Sequence, residues 1–271
     1  MRTKKPPAII SLNRVQVLLG FTLWLLAAYP AQARPLNIVT IDIPPFGMAL
    51  ADGQPHGIMY EISNRIAAHA GFASHNMLLP YARTVIELKH GRADFVLRFD
   101  NDALDQAAIK VAPIFPLRVI VLGAAGAQLH SLSDMHGLMI GVMRDGRFND
   151  AFAADVAIGK YPISNYEQGL AMVVSGRLDG LIGSDLGIYT VAEGMGLTQE
   201  QFSQPLVLGE QYFWLFYSRR TADDVTLERL KKAVDELRKK QVFAEVVQRH
   251  ARLTYLPKGF APPPSNDSTP R

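Results

Sequence analysis

One sequence phrase occurs twice in this chain, and it limits the possible folds more than any other feature. Residues 88–97 read Leu-Lys-His-Gly-Arg-Ala-Asp-Phe-Val-Leu, and residues 173–182 read Val-Val-Ser-Gly-Arg-Leu-Asp-Gly-Leu-Ile. In both copies Gly-Arg-x-Asp joins a helix to a short apolar strand, and the glycine suits the left-handed position that ends a helix. Apolar strands that follow helices are typical of buried parallel sheets. The repetition therefore predicts two α/β lobes with the same local topology.

The segments around each copy alternate between strand and helix signals, which is the pattern of a parallel sheet. In the first half, strands are predicted at 36–43, 74–79 and 93–97, with helices from 58 and over 83–89. In the second half, strands are predicted at 138–143, 161–163 and 180–182, with helices ending near 157 and over 167–175. Further extended segments are predicted at 111–115, 118–122 and 212–218, and one or two helices over 227–251.

The first 33 residues have the three parts of a secretory signal peptide. A basic segment ends at Arg14, an apolar core covers 15–28, and Ala31-Gln32-Ala33 predicts cleavage before Arg34. An uncleaved anchor is the alternative, but a span needs about 20 apolar residues. Without this leader the chain has 24 bases against 25 acids, although the whole chain carries a charge of +3. The net charge therefore gives no argument for a nucleic-acid partner.

The chain contains no cysteine. This excludes a disulfide framework, a cysteine metal site, a thiol nucleophile and a lipid-modified N-terminal cysteine. The seven histidines show no H-x-x-H or H-E-x-x-H spacing, so no metal or other cofactor is predicted. The expected location of the exported chain is the bacterial periplasm, free of the membrane.

Polar residues come directly after each of the two repeated strands. Arg98, Phe99 and Asn101 come directly after the first strand, and Ser184 and Asp185 come after the second. In open α/β sheets, ligands bind in the crevice beyond the carboxyl ends of the strands. These residues are therefore predicted to face a ligand.

Four segments resemble family 3 of the periplasmic solute-binding proteins, which includes the polar amino-acid receptors of ABC transporters. In chain order they are Pro44-Pro45-Phe46 with Gly57-x-x-x-Glu61-Ile62, Pro80-Tyr81-Ala82-Arg83 with Gly91-x-x-Asp94, Leu132-Ser133-Asp134-Met135-His136-Gly137 with Gly141-Val142, and Gly176-Arg177-Leu178-Asp179. The resemblance lies in their order and spacing and covers about residues 36–253.

The resemblance implies an α/β, two-lobe periplasmic binding protein fold of type II, with the ligand cleft between the lobes. Lobe one would comprise 34–118 and 213–255, lobe two 119–212, and residues 256–271 a disordered tail. Strands near 119–122 and within 212–218 would cross between the lobes, and the two repeated strands would lie in separate sheets. The protein would be a monomeric, non-catalytic receptor that captures a small polar solute, an amino acid or a related small anion. It would close by hinge motion and be recognised by an ABC permease.

Two positions that bind an α-amino acid in this family are altered here. Counting from Asp94, the position of the carboxylate-binding arginine holds Gln106; counting from Asp179, the position of the ammonium-binding acid holds Ser184. Arg98 stands where the family has a small hydroxyl residue. It is the alternative contact for an anion, because a guanidinium can donate two parallel hydrogen bonds to a carboxylate.

Aromatic residues that flank the ligand in the family correspond to Phe46 and Tyr81. Arg147 and Phe148 precede a predicted helix start, where free N–H groups attract anions. Each candidate also has a purely structural interpretation, as a core aromatic, a surface ion pair or a helix cap. The full set of predicted ligand contacts is Phe46, Tyr81, Arg98, Phe99, Asn101, Arg147, Phe148, Ser184 and Asp185. Asp94 and Asp179 are predicted to be structural, and the roles of Glu61 and Arg83 stay open.

Two other functions are compatible with the same residues. One is a dehydratase similar to the periplasmic cyclohexadienyl dehydratases, which would need a general acid from among Glu61, Asp100, Asp102 and Asp185. The other is a sensor component that delivers its ligand-bound form to a membrane receptor.

Overall fold

The computed structural model describes residues 34–250, which form ten strands and eight α-helices. The strands are β1 (Leu36–Ile41), β2 (Met48–Ala49), β3 (Pro55–His56), β4 (Ser74–Leu79), β5 (Phe95–Arg98), β6 (Ala108–Gly123), β7 (Met139–Met143), β8 (Gly159–Ile163), β9 (Gly180–Ser184) and β10 (Leu206–Ser218). The helices are α1 (Ile58–His69), α2 (Tyr81–Lys89), α3 (Asp102–Ala107), α4 (Asp150–Ala154), α5 (Tyr166–Val174), α6 (Asp185–Gly194), α7 (Asp224–Lys239) and α8 (Val242–His250). Single 3-10 turns lie at Leu132–Met135 and Gln199–Gln201.

Eight strands form one sheet in the order β4-β1-β5-β10-β6-β9-β7-β8, and β2 pairs with β3 in a separate hairpin. β1 is parallel to β4 and β5, and β7 is parallel to β8 and β9. Counted inward from either edge of the sheet, the first three strands are the second, the first and the third strand of that half in chain order. The two long strands β6 and β10 lie in the middle. The two halves therefore have the same topology, as the repeated phrase predicts. We call β4-β1-β5 with its helices the first lobe and β9-β7-β8 with its helices the second lobe.

β6 and β10 carry the chain between the lobes. They are antiparallel along nearly their whole length, with register shifts near Val207, Phe213 and Leu215. β10 pairs with β5 only through residues 214–217, and β6 pairs with β9 only through 119–123. The prediction that the two repeated strands lie in separate sheets is wrong. β10 pairs with β5, β6 pairs with β9, and β6 pairs with β10, so hydrogen bonds join both lobes into one sheet.

The repeated phrase has the same structure in both lobes. Gly91 and Gly176 end their helices with φ of 69° and 71°, a conformation that glycine adopts without steric cost. The carboxylates of Asp94 and Asp179 each accept a hydrogen bond of 2.7 Å from the backbone N–H of the neighbouring first strand, Asn37 in β1 and Met139 in β7. This agrees with the prediction that both aspartates are structural.

Glu61 and Arg83 also make structural contacts. Glu61, in the first turn of α1, pairs with Arg65 of the same helix and with Arg249 and His250 of α8. Burial raises the pKa of Glu61, but the hydrogen bonds from His250 and Arg65 outweigh it and lower the pKa overall. Arg83 pairs with Glu87 one helical turn later in α2. These contacts place both side chains in the framework of the first lobe.

The predicted signal peptide, its cleavage site and the predicted tail lie outside the described residues. Between residues 34 and 250, no helix combines the length and the hydropathy that a bilayer crossing requires.

Candidate ligand-binding cleft

Four phenylalanine rings meet where the two lobes adjoin. Phe213 of β10 stacks on Phe99 at a centroid distance of 4.2 Å and contacts Phe46 at 5.1 Å. Phe148 of the second lobe meets Phe99 edge-on at 5.8 Å. All four side chains are buried. They form an apolar surface to which both lobes and a crossing strand contribute.

Arg98 is a fully buried cation at the end of β5, with 0% of its surface exposed. Its Nη1 donates to the Tyr81 carbonyl at 3.1 Å and to the Thr84 hydroxyl at 2.9 Å. The guanidinium lies 4.0 Å from the centroid of the Tyr81 ring. Nη2 has no hydrogen-bond partner, and no carboxylate among the described residues pairs with Arg98. Because burying an unpaired charge is expensive, this position favours an anion.

Two buried hydroxyl groups also lack hydrogen-bond partners. One is Tyr81 Oη in the first lobe, whose ring lies against the Arg98 guanidinium, and the other is Ser184 Oγ in the second lobe. Tyr166, the first residue of α5, contacts Ser184. Its hydroxyl accepts a hydrogen bond of 3.1 Å from the Ser184 backbone N–H, and burial, together with nearby Tyr81, raises its pKa. Buried polar groups without partners are uncommon. Here two of them, Arg98 Nη2 and Tyr81 Oη, belong to side chains that contact each other.

Gly187, in the first turn of α6, permits the lobes to approach closely. A Cβ atom at this position would lie 2.7 Å from the Tyr166 ring, 2.8 Å from Ser184 Oγ and 3.1 Å from the Phe46 ring. Phe46 belongs to the first lobe, whereas the other two residues belong to the second. The absence of a side chain at residue 187 therefore lets both lobes contact α6.

Asp185 is a buried acid that already has a basic partner. Its Oδ2 accepts a hydrogen bond of 2.8 Å from Arg118 Nε, and its Oδ1 accepts one of 2.6 Å from the Leu186 N–H. Burial raises the pKa of this carboxyl, and Arg118 opposes that effect only in part. Arg118 lies on the crossing strand β6, so this ion pair anchors α6 to the strand that joins the lobes.

The rim of the cleft holds polar contacts between the lobes. Asn101 caps α3 with its side-chain oxygen and donates through Nδ2 to the Asp145 carbonyl of the second lobe at 2.6 Å. Arg147 is partly exposed, and it pairs with Asp102 across the lobes and with Asp150 in its own lobe. Asn101 and Arg147 border a cavity of about 370 Å³. Its lining also includes Lys110, Trp214 and the five acids Asp100, Asp102, Asp105, Asp150 and Glu210.

The structure brings most of the predicted contacts together but gives others different roles. Those that meet at the buried centre are Phe46, Tyr81, Arg98, Phe99, Phe148 and Ser184. Asn101 and Arg147 lie at the rim, and Asp185 is held by Arg118. Gln106 is exposed on α3, so the position that the family count gives for an anion-binding arginine does not lie in the buried centre.

Four residues of the cleft were missed by sequence analysis: Tyr166, Gly187, Phe213 and Arg118. A sequence pattern could have identified Tyr166. It begins the helix that follows the second strand of its lobe, and Tyr81 occupies the same position in the first lobe. The other three are placed by long-range contacts, which no local pattern indicates.

No protein-family model matches the chain, and no curated protein matches it. Solved structures do match. A histidine kinase sensor domain similar to periplasmic binding proteins has a TM-score of 0.71 at 17% identity, covering 82% of this chain and 97% of the other. An ancestral arginine-binding protein bound to arginine has a TM-score of 0.68 at 17% identity, covering 81% and 99%. The substrate-binding protein of an amino acid ABC transporter has a TM-score of 0.65 at 16% identity, covering 79% and 98%.

At these identities the matches establish the fold and leave the ligand open. The chain has the two-lobe fold of the periplasmic binding proteins.

Proposed function

We propose that this chain is a periplasmic solute-binding protein that captures a small polar solute between its lobes for an ABC transporter. The observation that carries the proposal is Arg98, a buried cation with one unpartnered nitrogen and no acidic partner among the described residues. A ligand anion would supply the missing charge at the place where both lobes meet. The proposed lobes are 34–118 with 213–255, and 119–212.

Ligand binding and closure are coupled in this proposal because the ligand contacts come from both lobes. Arg98 and Tyr81 belong to the first lobe, and Ser184 belongs to the second. A ligand that bonds all three binds the closed form better than the open form, and this difference in affinity drives closure. The phenylalanine surface would contact the remainder of the ligand, and Asn101 and Asp185 would stabilise the two walls of the cleft. A permease would then recognise the closed form.

A thermal-shift screen of amino acids, amines and small carboxylates tests the proposal. A ligand present at 100 times its Kd should stabilise the protein by about 2.7 kcal/mol. Titration calorimetry of Arg98→Lys should then show weaker binding, because an ammonium cannot reproduce the planar fork of the guanidinium. Unchanged affinity in a folded Arg98→Lys variant would remove Arg98 from the site.

A sensor function is the second candidate, and the match to a histidine kinase sensor domain favours it. The same cleft would bind the same ligand, but a membrane receptor would read the closed form. Pull-down of the ligand-bound protein with solubilised inner-membrane proteins separates the two functions, since a permease complex is expected for transport and a sensor kinase for signalling.

A dehydratase has weaker support. Asp185 is a cleft acid with a raised pKa, which is what a general acid needs, but its hydrogen bonds tie it to Arg118 and the α6 backbone. Prephenate turnover by the purified protein that Asp185→Asn abolishes would favour the enzyme over the receptor.

A further inference from the structure

We infer that Thr84 is a positioning residue of the cleft. It holds Nη1 of the Arg98 guanidinium on the protein and leaves Nη2 as the nitrogen that meets a ligand anion. The inference rests on the proposed function and deepens it, because Thr84 acts through Arg98 and sets the orientation of the charged group. It follows from the hydrogen bonds around the guanidinium and from the burial of both side chains.

The Thr84 hydroxyl lies between the helix backbone and the guanidinium. Thr84 is in the first turn of α2 and is fully buried. Its Oγ1 donates its one hydrogen to the Tyr81 carbonyl at 2.8 Å, so towards Arg98 it can only accept. It accepts from Arg98 Nη1 at 2.9 Å. The bond to the Tyr81 carbonyl therefore fixes the direction of the lone pairs to which Arg98 donates.

Both hydrogens of Arg98 Nη1 are bonded to the protein. One goes to Thr84 Oγ1, and the other goes to the Tyr81 carbonyl at 3.1 Å. Nε donates to the Phe99 carbonyl at 3.4 Å, which is long for a hydrogen bond. Nη2 is buried and has no partner. An anion can therefore bond Nη2 without breaking any of these bonds, whereas a bond to Nη1 would displace Thr84 or Tyr81.

Rotation about the Cζ–Nε bond of Arg98 exchanges Nη1 with Nη2, and Thr84 opposes this rotation. The Tyr81 ring lies 4.0 Å from Cζ, but contact with a ring face is the same for both orientations of the guanidinium. The rotation instead breaks the two hydrogen bonds of Nη1, of which Thr84 supplies one. A guanidinium that is already held in one orientation has less freedom to lose when a ligand binds.

Nitrogen-15 NMR of the ligand-free protein tests the orientation. The Arg98 signals are those that are absent from Arg98→Lys. The wild type should give separate Nη1 and Nη2 signals. Thr84→Val, which removes the hydroxyl and keeps the shape, should exchange them at least about 10-fold faster, because one hydrogen bond to a charged group is lost. Thr84→Ser retains the hydroxyl and should resemble the wild type. A circular-dichroism melt must first show that Thr84→Val is folded, and Thr84→Ala replaces it if it is not.

Thr40→Val is the matched control. Thr40 is also a buried threonine of the first lobe whose hydroxyl donates at 2.8 Å, but its acceptor is Asn76 Oδ1 in β4. This variant should leave the exchange at Arg98 unchanged. If exchange in Thr84→Val is as slow as in the wild type, or if Thr40→Val accelerates it equally, the inference is overturned and the proposed function is left intact.

Acetate, with acetamide as its neutral counterpart, tests which nitrogen meets an anion. In the wild type, acetate should shift the Nη2 signal of Arg98 and leave the Nη1 signal in place, and acetamide should shift neither. In Thr84→Val, acetate should move both signals together. A wild-type shift of Nη1 as large as that of Nη2 overturns the inference alone. Acetate that shifts neither nitrogen overturns the anion contact of the proposed function, and the inference with it.

Discussion

Replacement of Ser184 by alanine should separate binding from stability. Ser184 Oγ is buried and has no hydrogen-bond partner, so its removal costs the folded protein no internal hydrogen bond. A buried hydroxyl without a partner carries a desolvation penalty of about 1–3 kcal/mol. The free energy of unfolding of Ser184→Ala should therefore equal that of the wild type or exceed it by up to about 1 kcal/mol.

Ligand affinity should change in the opposite direction. A hydrogen bond to a charged group contributes about 1.5–3 kcal/mol, which corresponds to a loss of roughly 10- to 150-fold in affinity for a ligand anion. Titration calorimetry with the best ligand from the screen gives the affinity, and urea unfolding without ligand gives the stability.

Ser63→Ala is the matched control. Ser63 is also a fully buried serine whose hydroxyl has no partner, but it lies in the second turn of α1. This variant should show the same small effect on unfolding and unchanged ligand affinity. If Ser184→Ala instead loses more than about 1 kcal/mol of stability and binds the ligand normally, the hydroxyl is a structural group and the proposed contact is wrong.

Three further perturbations test the cleft and the first lobe. Asp102→Asn breaks the ion pair with Arg147 across the rim. Because exposed pairs contribute about 0–1 kcal/mol, ligand affinity measured by calorimetry should fall no more than about 5-fold. At high salt, the variant and the wild type should bind equally well. Gly187→Ala places a Cβ 3.1 Å from the Phe46 ring of the first lobe, so it should hold the lobes apart and weaken binding at least about 10-fold. The radius of gyration of the ligand-bound form in small-angle scattering should increase. Glu87→Gln should lower the free energy of unfolding by about 1–2 kcal/mol, since hydrogen bonds to charged partners are lost but those partners are half exposed. The Arg92 hydrogen bond lowers the pKa of Glu87 to about 2 from 4.5. The stabilisation by Glu87 is therefore present above pH 4.5 and lost as the pH falls towards 2. Urea unfolding of the wild type and the variant between about pH 2 and 6 should show that their free energies of unfolding converge at the acid end.

Sequence alone indicated the topology because its signals are local. The helix end, the left-handed glycine and the apolar strand of each repeated phrase lie within ten residues. The continuity of β6 was missed because Pro113 and Pro116 normally interrupt a central strand. Here β6 pairs with β9 only from Val119 onward, so the side of β6 that faces β9 has no strand partner at either proline. Proline is tolerated on such an unpaired side.

The sequence indicated where the candidate site lies better than it indicated which groups its residues contact. The rule that ligands bind beyond the carboxyl ends of strands led to Arg98 and Ser184, which lie at the ends of β5 and β9 that face each other in the sheet. It gave no indication that Arg98 would be fully buried or that Thr84 would hold its Nη1. It also gave no indication that Arg147 would pair with Asp102 of the other lobe, because such a pair depends on how the lobes meet.

Two kinds of contact join the lobes, and they respond differently to a ligand. The rim contacts of Arg147 and Asn101 are made by the protein alone, so they favour the closed form to the same extent with any ligand. The central groups, Arg98 and Ser184, have unpartnered atoms on opposite lobes, so closure becomes more favourable only when a ligand bonds to both. A ligand shifts an equilibrium only by its difference in affinity for the two forms. In the proposed function, discrimination between solutes would therefore come from groups that the ligand itself bonds. The rim sets how much closed form exists before binding, and a rim strong enough to close the protein by itself would reduce the change that a permease or sensor detects.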